Sequence, residues 1–324
     1  MTFQPVTEPS LSGSTLAAMA ALAASATWGL GSLLFARLLR EGGASPNAAN
    51  LFKNTLAALC FVAILAATGE HLPVGPDLLV LLASGALGFA AGDTLYFAAL
   101  PRAGVQTTAV VCQIHTPLVV FVDWLVYDDM LPARSLWCIP LVLLGVLLVV
   151  FDRGQRQGNQ TQRWSGIGMA ALAAAVMAVA VVIGGEAMDD EALWGGTVVR
   201  MAGGIAGSLV LGAGLALWRG ARRARDPARP LLELAAPWRD ARLAKALLLA
   251  AFFGSIIGLP LYHIGLRDLP SGAAAALFAT TPLFTLPLGF FFGERHGWRA
   301  WLGTIVGFVG VVLLVRSLDH APLG

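Results

Sequence analysis

The sequence predicts an all-α integral membrane protein with ten transmembrane helices, arranged as two inverted repeats of five helices. Three observations lead to this fold class. The chain of 324 residues is 57% hydrophobic and only 12% charged, which is about half the charged fraction of a soluble domain. Its apolar residues fall in runs long enough to cross a bilayer. Its second half repeats polar and glycine positions of the first half in the same order.

Ten apolar runs satisfy the length needed to span about 30 Å of hydrocarbon at about 1.5 Å per residue. Short polar connections separate nearly all of them, and one long loop, 218–244, is rich in Arg. The predicted helices lie at about 15–36, 47–68, 77–100, 104–126, 134–151, 165–186, 192–217, 245–266, 271–292 and 299–315.

These runs divide the chain into five regions. The first run is too long for the core of a signal peptide and no Lys or Arg precedes it, so we expect a retained transmembrane helix. The expected regions are an N-terminal tail at 1–14, a first five-helix repeat at 15–152, a connection at 153–164, a second five-helix repeat at 165–316 and a C-terminal tail at 317–324.

The repeat is visible in two pairs of matching stretches. "GDTLYFAALPRAG", which begins at Gly92, matches "GLPLYHIGLRDLPSG", which begins at Gly258. After a shift of one residue, "HTPLVVF" at His115 matches "TTPLFTL" at Thr280. Because each repeat has an odd number of helices, the second copy enters the membrane from the opposite side. Inverted repeats are typical of secondary transporters, whose binding site lies near the midplane between the halves.

Few ionisable side chains lie within the predicted helices, where each costs at least about 2.5 to 3.5 kcal/mol to insert unless it faces a partner or a watery cavity. Lys53 and Asp93 lie at matched depths, about 10 Å from the same face at about 1.5 Å per residue. This depth predicts an ion pair that faces the cavity, or two charges that share a zwitterionic solute. A pair that only permits insertion stays open. Asn50 gives the helix of Lys53 a polar face.

Arg200 occupies the position of Lys53 in the second repeat, whereas Leu259 occupies the position of Asp93. The second repeat therefore lacks the matching acid. Asp123 and Glu186 lie near the same face as Arg200, and either is a candidate to neutralise it.

His115 lies nearest the midplane of its helix, in a partly polar stripe with Thr116. A histidine can bind solute or relay protons near neutral pH, although a permanently neutral, hydrogen-bonded histidine fits the position as well. Trp28, Tyr96 and Tyr262 are candidates to line a cavity for an apolar or aromatic solute, with core packing as the alternative.

The chain resembles the ten-helix EamA-like members of the drug/metabolite transporter superfamily over essentially all of 15–316. The resemblance implies two inverted five-helix bundles and transport, usually export, of amino acids, other metabolites or drugs. Lys53 stands where many relatives carry Arg, and Asp128 and Asp129 replace the Gly-Glu that the second half keeps. The residues that carry the resemblance are Trp28, Gly29, Lys53, Tyr96, Leu100, Thr116, Pro117, Gly145, Thr281, Pro282, Gly293, Glu294, Arg295 and Gly310.

The orientation is predicted differently by two arguments. Most of the 21 Lys and Arg residues lie in the odd-numbered connections, beginning with the one between helices 1 and 2. The positive-inside rule then places both termini outside the cytoplasm. The resemblance implies cytoplasmic termini instead.

Together these features predict a multi-pass inner membrane protein that exports a small organic metabolite or a drug by alternating access. Its expected partners are a small-molecule solute and the lipid bilayer; a coupling proton and a homodimer stay open, and no nucleic acid partner is expected. The candidate substrate-binding residues are Trp28, Asn50, Lys53, Asp93, Tyr96, His115, Thr116, Arg200, Tyr262 and Thr281.

No catalytic residue, metal or organic cofactor is predicted. The three cysteines are odd in number and show no C-x-x-C spacing, and motifs for zinc hydrolysis, serine hydrolysis or phosphate binding are absent. The alternatives are a gated channel or a non-transporting membrane scaffold. An intramembrane aspartyl protease is more remote, because its Tyr-Asp motif should precede its Gly-Asp motif, whereas here Asp93 precedes Asp128.

Overall fold

The structure, a computed structural model, describes residues 11–127, 137–152, 160–185, 187–188, 193–222, 226, 228–268 and 277–319. Seven helices in this part of the chain are long and apolar enough to cross a membrane, and three shorter apolar helices complete a set of ten. They are α1 (Leu11–Arg40), α2 (Pro46–Thr68), α3 (Pro76–Ala103), α4 (Val105–Cys112 and His115–Tyr127), α5 (Cys138–Val150), α6 (Gln160–Gly185), α7 (Leu193–Ala221), α8 (Ala241–Ala251, Phe252–Ile257 and Gly258–Asp268), α9 (Thr281–Phe291) and α10 (Trp298–Asp319).

The predicted fold class of ten transmembrane helices in two inverted repeats is confirmed. Each observed helix overlaps the apolar run that predicts it, and local sequence sets the ends. In α2, for example, the Ser45 hydroxyl accepts a hydrogen bond from a backbone N–H of the first turn, and Pro46 follows it. Gly69 ends the helix with φ +73°, a left-handed conformation that glycine adopts without steric cost.

In each repeat, the first helix packs against helices of the other repeat. The first helix of the first repeat, α1, lies against α8 and α9 of the second repeat. The first helix of the second repeat, α6, lies against α3 and α4 of the first repeat. Two further contacts, α2 with α7 and α5 with α10, join equivalent helices to each other. The packing therefore follows the twofold relation that the sequence repeat predicts.

Two segments of π-helix occur at equivalent positions of the repeats. Ala86–Gly92 interrupts α3, and Phe252–Ile257 interrupts α8. They come directly before Asp93 and Gly258, within or next to the stretches that carry the sequence repeat. A π-helical turn accommodates an extra residue and is found mostly at functional sites. The sequence analysis gave no indication of either segment.

Two asparagines of α2 bind the carbonyl groups of the first π segment. The Asn50 side-chain amide donates to the carbonyls of Phe89 and Ala90 at 2.6 and 3.3 Å, and that of Asn54 donates to Phe89 at 2.8 Å. Carbonyls that leave the regular α-helical ladder need such donors where water is excluded. Asn50 and Asn54 therefore hold α2 against the widened turn of α3.

The helix α4 is broken at Gln113 and Ile114, where the backbone N–H groups bond to carbonyls three residues back. The Gln113 side chain reaches across to the Ala279 carbonyl, at the equivalent turn before α9. The run predicted as one helix at 104–126 therefore consists of two segments. Its polar residues Thr108 and Cys112 lie before the break, whereas His115 and Thr116 lie after it; the side chain of Asp123 lies outside the described residues.

The helices α5 and α10 approach each other through glycines. A Cβ atom added to Gly145 would lie 2.4 Å from the backbone nitrogen of Gly307 and 2.6 Å from the carbonyl oxygen of Gly303. A Cβ on Gly310 would lie 2.7 Å from the backbone nitrogen of Val142. Small residues permit this backbone contact, from which helices in a membrane gain van der Waals energy.

Replacement of Gly145 by Ala should therefore destabilise the protein. The clash is with backbone, which cannot move aside as a flexible side chain would, and overpacking of this kind costs about 1–3 kcal/mol. We expect a lower melting temperature of the purified protein in detergent. Gly168→Ala on α6 is the matched control, because no atom lies within 4 Å of its added Cβ and Ala favours a helix over Gly. Equal losses in both variants would contradict the close contact of α5 with α10.

Candidate functional site

A cavity lies between the two repeats and is built by both. Its enclosed part measures only about 10 Å³, room for about one water molecule, within about 260 Å³ of empty space that includes the open mouth. The first repeat contributes residues of α1, α2 and α3, and the second contributes the π segment of α8. The lining residues are Trp28, Gly31, Ser32, Phe35, Lys53, Asp93, Tyr96, Phe97, Gly254 and Ser255.

The predicted ion pair between Lys53 and Asp93 is present in the cavity wall. The Lys53 Nζ atom lies 2.7 Å from Asp93 Oδ2, and the two side chains are only 5% and 6% exposed. Asp93 is the first residue after the π segment of α3. Lys53 also lies 5.8 Å from the ring centres of Phe89 and Phe97, so aromatic rings and a carboxylate together surround its charge.

A second polar contact in the wall joins α1 to α3. The Tyr96 hydroxyl and the Ser32 hydroxyl lie 3.0 Å apart and are both buried. Ser32 follows Trp28 by four residues and so shares its helix face. The sequence prediction that Trp28 and Tyr96 line a cavity agrees with this placement.

An aromatic group extends from the cavity into the second repeat. The Trp28 ring meets the Phe278 ring edge to face, with centres 5.7 Å apart. Tyr262 belongs to α8, and its ring centre lies 4.7 Å from that of Phe278. Trp28, Tyr262 and Phe278 are all partly exposed. They therefore present a partly open aromatic surface beside the cavity.

Arg200 places a second cation near the first. Its guanidinium carbon lies 5.1 Å from the centre of the Phe89 ring, the same ring that Lys53 approaches. The Arg200 Nε atom is buried and has no hydrogen-bond partner among the described residues. The negative charge of Asp93 acts on it across the group. Glu186 and the side chain of Asp123, the predicted partners of Arg200, lie outside the described residues, so those pairs stay predictions.

The other predicted site residues make structural contacts. Asn50 is fully buried against the π segment. The Thr281 hydroxyl donates to the Phe278 carbonyl at 2.8 Å and lies 3.2 Å from the Ser25 hydroxyl, which ties α1 to the start of α9. His115 is partly buried beside the backbone of Met177.

The Thr116 backbone N–H bonds to the Gln113 carbonyl at the break in α4. Six of the ten predicted site residues are not among the residues that line the cavity: Asn50, His115, Thr116, Arg200, Tyr262 and Thr281. Their contact with a solute stays a prediction.

Several cavity residues escaped the sequence analysis. Ser255 and Gly254 look like ordinary small residues of an apolar run, although the repeat relates their segment to the one before Asp93. Ser32 could have been predicted from the sequence, because it follows Trp28 by about one helical turn. Gly31 and Gly254 bring α1 and α8 together, since a Cβ on Gly31 would lie 2.7 Å from the Gly254 Cα atom.

The two repeats are also joined at the face where α1 ends, here called the Arg40 face. The Arg40 Nη2 atom lies 2.8 Å from Glu294 Oε1, and the Val105 N–H donates to the same oxygen at 2.9 Å. Gly293 precedes Glu294 with φ +79°, which favours glycine. Glu294 thus connects α1 and the start of α4 to the loop after α9.

The same loop contacts the end of α5. The Gly297 N–H donates to Asp152 Oδ2 at 2.9 Å. The His296 Nε2 atom lies 3.7 Å from Glu294 Oε2. Burial lowers the pKa of His296, and the neighbouring carboxylates of Glu294 and Asp152 offset part of this shift.

Apolar side chains fill the space between the cavity and the Arg40 face. The Phe35 and Phe97 rings stack with centres 4.4 Å apart. Leu100 and Leu247 are completely buried in the same cluster. The cluster and the Glu294 contacts close the cavity toward the Arg40 face.

A metal centre has no support in the part of the chain that the structure describes. No three His, Cys, Asp or Glu side chains gather there in a way that would hold a metal ion. The expectation that no cofactor is needed stays a prediction.

The fold and its site define a multi-pass membrane protein with two inverted repeats around a shared cavity. The sequence profile of the EamA-like transporter family matches residues 15–151 and 164–316. The chain therefore belongs to the EamA-like transporter family, as the resemblance in its motifs indicated. It is also similar to a solved crystal structure with a TM-score of 0.58 and 17% identity, over 96% of this chain and 100% of the other, which supports the fold alone.

Shorter segments match curated relatives. The S-adenosylmethionine uptake transporter of Rickettsia bellii is 40% identical over 60 residues, or 18% of this chain and 21% of the relative. The uncharacterized inner membrane transporter YedA of Escherichia coli K12 is 36% identical over 88 residues, or 27% of this chain and 25% of the relative. The matches thus span about a quarter of these relatives or less.

Removing one partner of the Lys53 and Asp93 pair should destabilise the protein more than removing both charges. Lys53→Met leaves a buried carboxylate without its cation, and Asp93→Asn leaves a buried ammonium; losing one partner of a buried pair costs about 3–5 kcal/mol. Melting temperatures of the two single variants and the double variant measure this coupling. Glu233→Gln, in an exposed pair with Arg229, is the control and should change little. Additive losses in the double variant would show that the two charges do not stabilise each other.

Proposed function

We propose that this protein is a secondary transporter that exports a small organic solute by alternating access. The observation that carries the proposal is a cavity formed jointly by both repeats, lined by a buried ion pair and closed toward one face. A site between inverted repeats can be exposed to either side when one bundle rocks against the other. No enzymatic activity is part of the proposal.

The contacts of Glu294 support the alternating-access part of the proposal. They join Arg40 and Val105 of the first repeat to a loop of the second, so they must break if the repeats separate at this face. The sequence repeat relates Glu294 to Asp129. We infer that an equivalent contact forms at the opposite face in the other state; Asp129 itself lies outside the described residues.

The cavity chemistry supports a solute that has an apolar body and polar or charged ends. Trp28, Phe35 and Phe97 offer aromatic surface, while Lys53 and Asp93 offer charge. An amino acid or a similar metabolite fits this description. One relative is named an uptake transporter, so the direction of transport needs its own measurement.

Three other functions make different predictions. A gated channel needs a polar path across the membrane, whereas buried apolar side chains fill the path between the cavity and the Arg40 face. A scaffold needs no cavity at all. An aspartyl protease needs two carboxylates close together, and Asp93 instead pairs with Lys53.

Purified protein in proteoliposomes distinguishes these functions. A thermal-shift screen of amino acids, nucleobases and cationic drugs supplies the test solute. We expect saturable uptake of that solute, accelerated when the same solute is loaded inside. Non-saturable flux would indicate a channel, and no flux of any stabilising solute would indicate a scaffold. Flux from the cytoplasmic side in oriented vesicles tests export.

The side chain of Trp28 should matter for this transport. Trp28→Ala removes part of the cavity wall, and we expect kcat/KM to fall roughly tenfold, equivalent to about 1.4 kcal/mol of lost solute contact. Trp164→Ala is the matched control, because Trp164 is 47% exposed on α6, away from the cavity. Comparable transport by the two variants would place the solute elsewhere.

Weakening the contacts of Glu294 should open the Arg40 face. Glu294→Gln removes the charge that binds Arg40, and charge-assisted hydrogen bonds contribute about 1.5–3 kcal/mol, so we expect about tenfold faster access. A Leu39→Cys reporter, in a background without Cys60, Cys112 and Cys138, measures this as the rate of labelling by a membrane-impermeant maleimide.

The control for that experiment is Glu233→Gln with the same reporter. Glu233 is on the same side of the molecule but pairs only within its own short helix. An unchanged labelling rate in Glu294→Gln, with both variants folded, would mean that Glu294 does not hold this face closed.

A further inference from the structure

The charges around Phe89 do not balance among the described residues. Two cations, Lys53 and Arg200, approach this ring, with the Lys53 Nζ 5.8 Å and the Arg200 guanidinium carbon 5.1 Å from its centre. Asp93 pairs with Lys53 at 2.7 Å. No described carboxylate lies within ion-pair distance of Arg200. Among the described residues, the group of Lys53, Asp93 and Arg200 therefore carries one positive charge in excess.

Such an excess is costly unless something compensates it. A guanidinium in a membrane helix requires acceptors or an anion. The Nε atom of Arg200 is buried and lacks an acceptor, and the cation–π contact with Phe89 supplies only part of the stabilisation. An anionic ligand would supply the acceptor that the Nε atom of Arg200 lacks among the described residues.

The position of Arg200 suits a ligand that enters from the face opposite Arg40. Arg200 lies seven residues after the start of α7 at that face, about 10 Å deep at about 1.5 Å per residue. Lys53 lies seven residues inside α2 from the Arg40 face. Arg200 lies nearer the face opposite Arg40 and Lys53 lies nearer the Arg40 face, so a solute that enters from the opposite face reaches the depth of Arg200 first.

Aromatic side chains lie next to this entry. The Tyr262 ring packs against Phe278, which in turn contacts Trp28 of the cavity wall. A solute with an apolar body can lie along these rings while its charged end faces the guanidinium.

We propose that Arg200 binds the carboxylate of the transported solute, so that among the metabolites that fit the cavity the site prefers organic monoanions to zwitterions, such as free amino acids, and to cations. This inference rests on the proposed function and names its substrate class. A bound monoanion makes the group of Lys53, Asp93 and Arg200 neutral. A bound zwitterion leaves the group with its single excess positive charge, and a bound cation doubles that excess charge. The guanidinium offers a planar fork that matches a carboxylate.

Four solutes that share one apolar body test the charge preference: 3-phenylpropionate, its amide, phenylalanine and 3-phenylpropylamine. Dissociation constants are measured by calorimetry with the purified full chain at one ionic strength. We expect 3-phenylpropionate to bind at least about tenfold more tightly than the amide, and the amine to bind most weakly. Equal affinities for the anion and the amide would overturn the proposal.

Variants of Arg200 test the residue itself. Arg200→Gln should abolish the anion preference, whereas Arg200→Lys should keep it in reduced form because the charge remains without the fork. Melting temperatures establish that each variant is folded. An anion preference that persists in folded Arg200→Gln would overturn the assignment to Arg200. If Arg200→Gln does not fold, complete loss of the preference in folded Arg200→Lys would overturn the assignment instead.

Two further variants test whether the protein neutralises Arg200 by itself. Glu186→Gln and Asp123→Asn remove the acids that the sequence places near the same face. If either variant gains tenfold or more in affinity for 3-phenylpropionate, that acid occupies Arg200 in the native protein, and the proposal fails. Unchanged affinity supports it.

The proposed function fails separately from this inference. Saturable, exchange-accelerated flux without preference for anions would keep the transporter and reject the role of Arg200. Anion binding without any flux in proteoliposomes would keep the site and reject transport.

Discussion

The bilayer allows a charge in its interior only where the protein supplies a partner, and the contact of Lys53 with Asp93 meets this requirement. The contact fixes α2 against α3 at one register, because a shift of either helix would leave a charge alone in an apolar surrounding. Asn50 and Asn54 act in the same direction by binding the carbonyls of the π segment just before Asp93. The cavity wall thus follows from the need to neutralise one acid.

The repeats are equivalent in backbone and different in charge. Both carry a π segment at the same place in their third helix, and both contribute their first helix to the opposite repeat. Only the first repeat places an acid directly after that segment, since Gly258 and Leu259 stand at the equivalent place. A symmetric scaffold can rock between two similar states, while an asymmetric charge pattern gives the solute one preferred arrangement in each.

The sequence predicts the features that depend on local length and on the repeat. Counting residues from a helix end was enough to place Lys53 beside Asp93, because the helical rise is constant. The number of helices and their inverted relation followed from the apolar runs and the matched "LY" and "TPL" stretches.

The π segments could not be predicted, because a wider turn changes neither composition nor apolar pattern. The contact of Glu294 with Arg40 and Val105 joins residues far apart in the chain, so no local pattern encodes it. The roles expected of Asn50 and Thr281 in binding solute have no support in the cavity lining, since polar side chains inside a membrane also serve freed carbonyls.

The approach of Gly31 to Gly254 has a mechanical consequence. At this point the backbones of the two helices touch directly, beside the cavity and at the boundary between the repeats. Side chains that interlock must change rotamer when helices turn against each other, and a contact of bare backbone has no rotamers to change. The point can therefore act as a fulcrum: a tilt of α1 against α8 keeps it intact while the ends of the helices, many residues away, swing through much larger arcs.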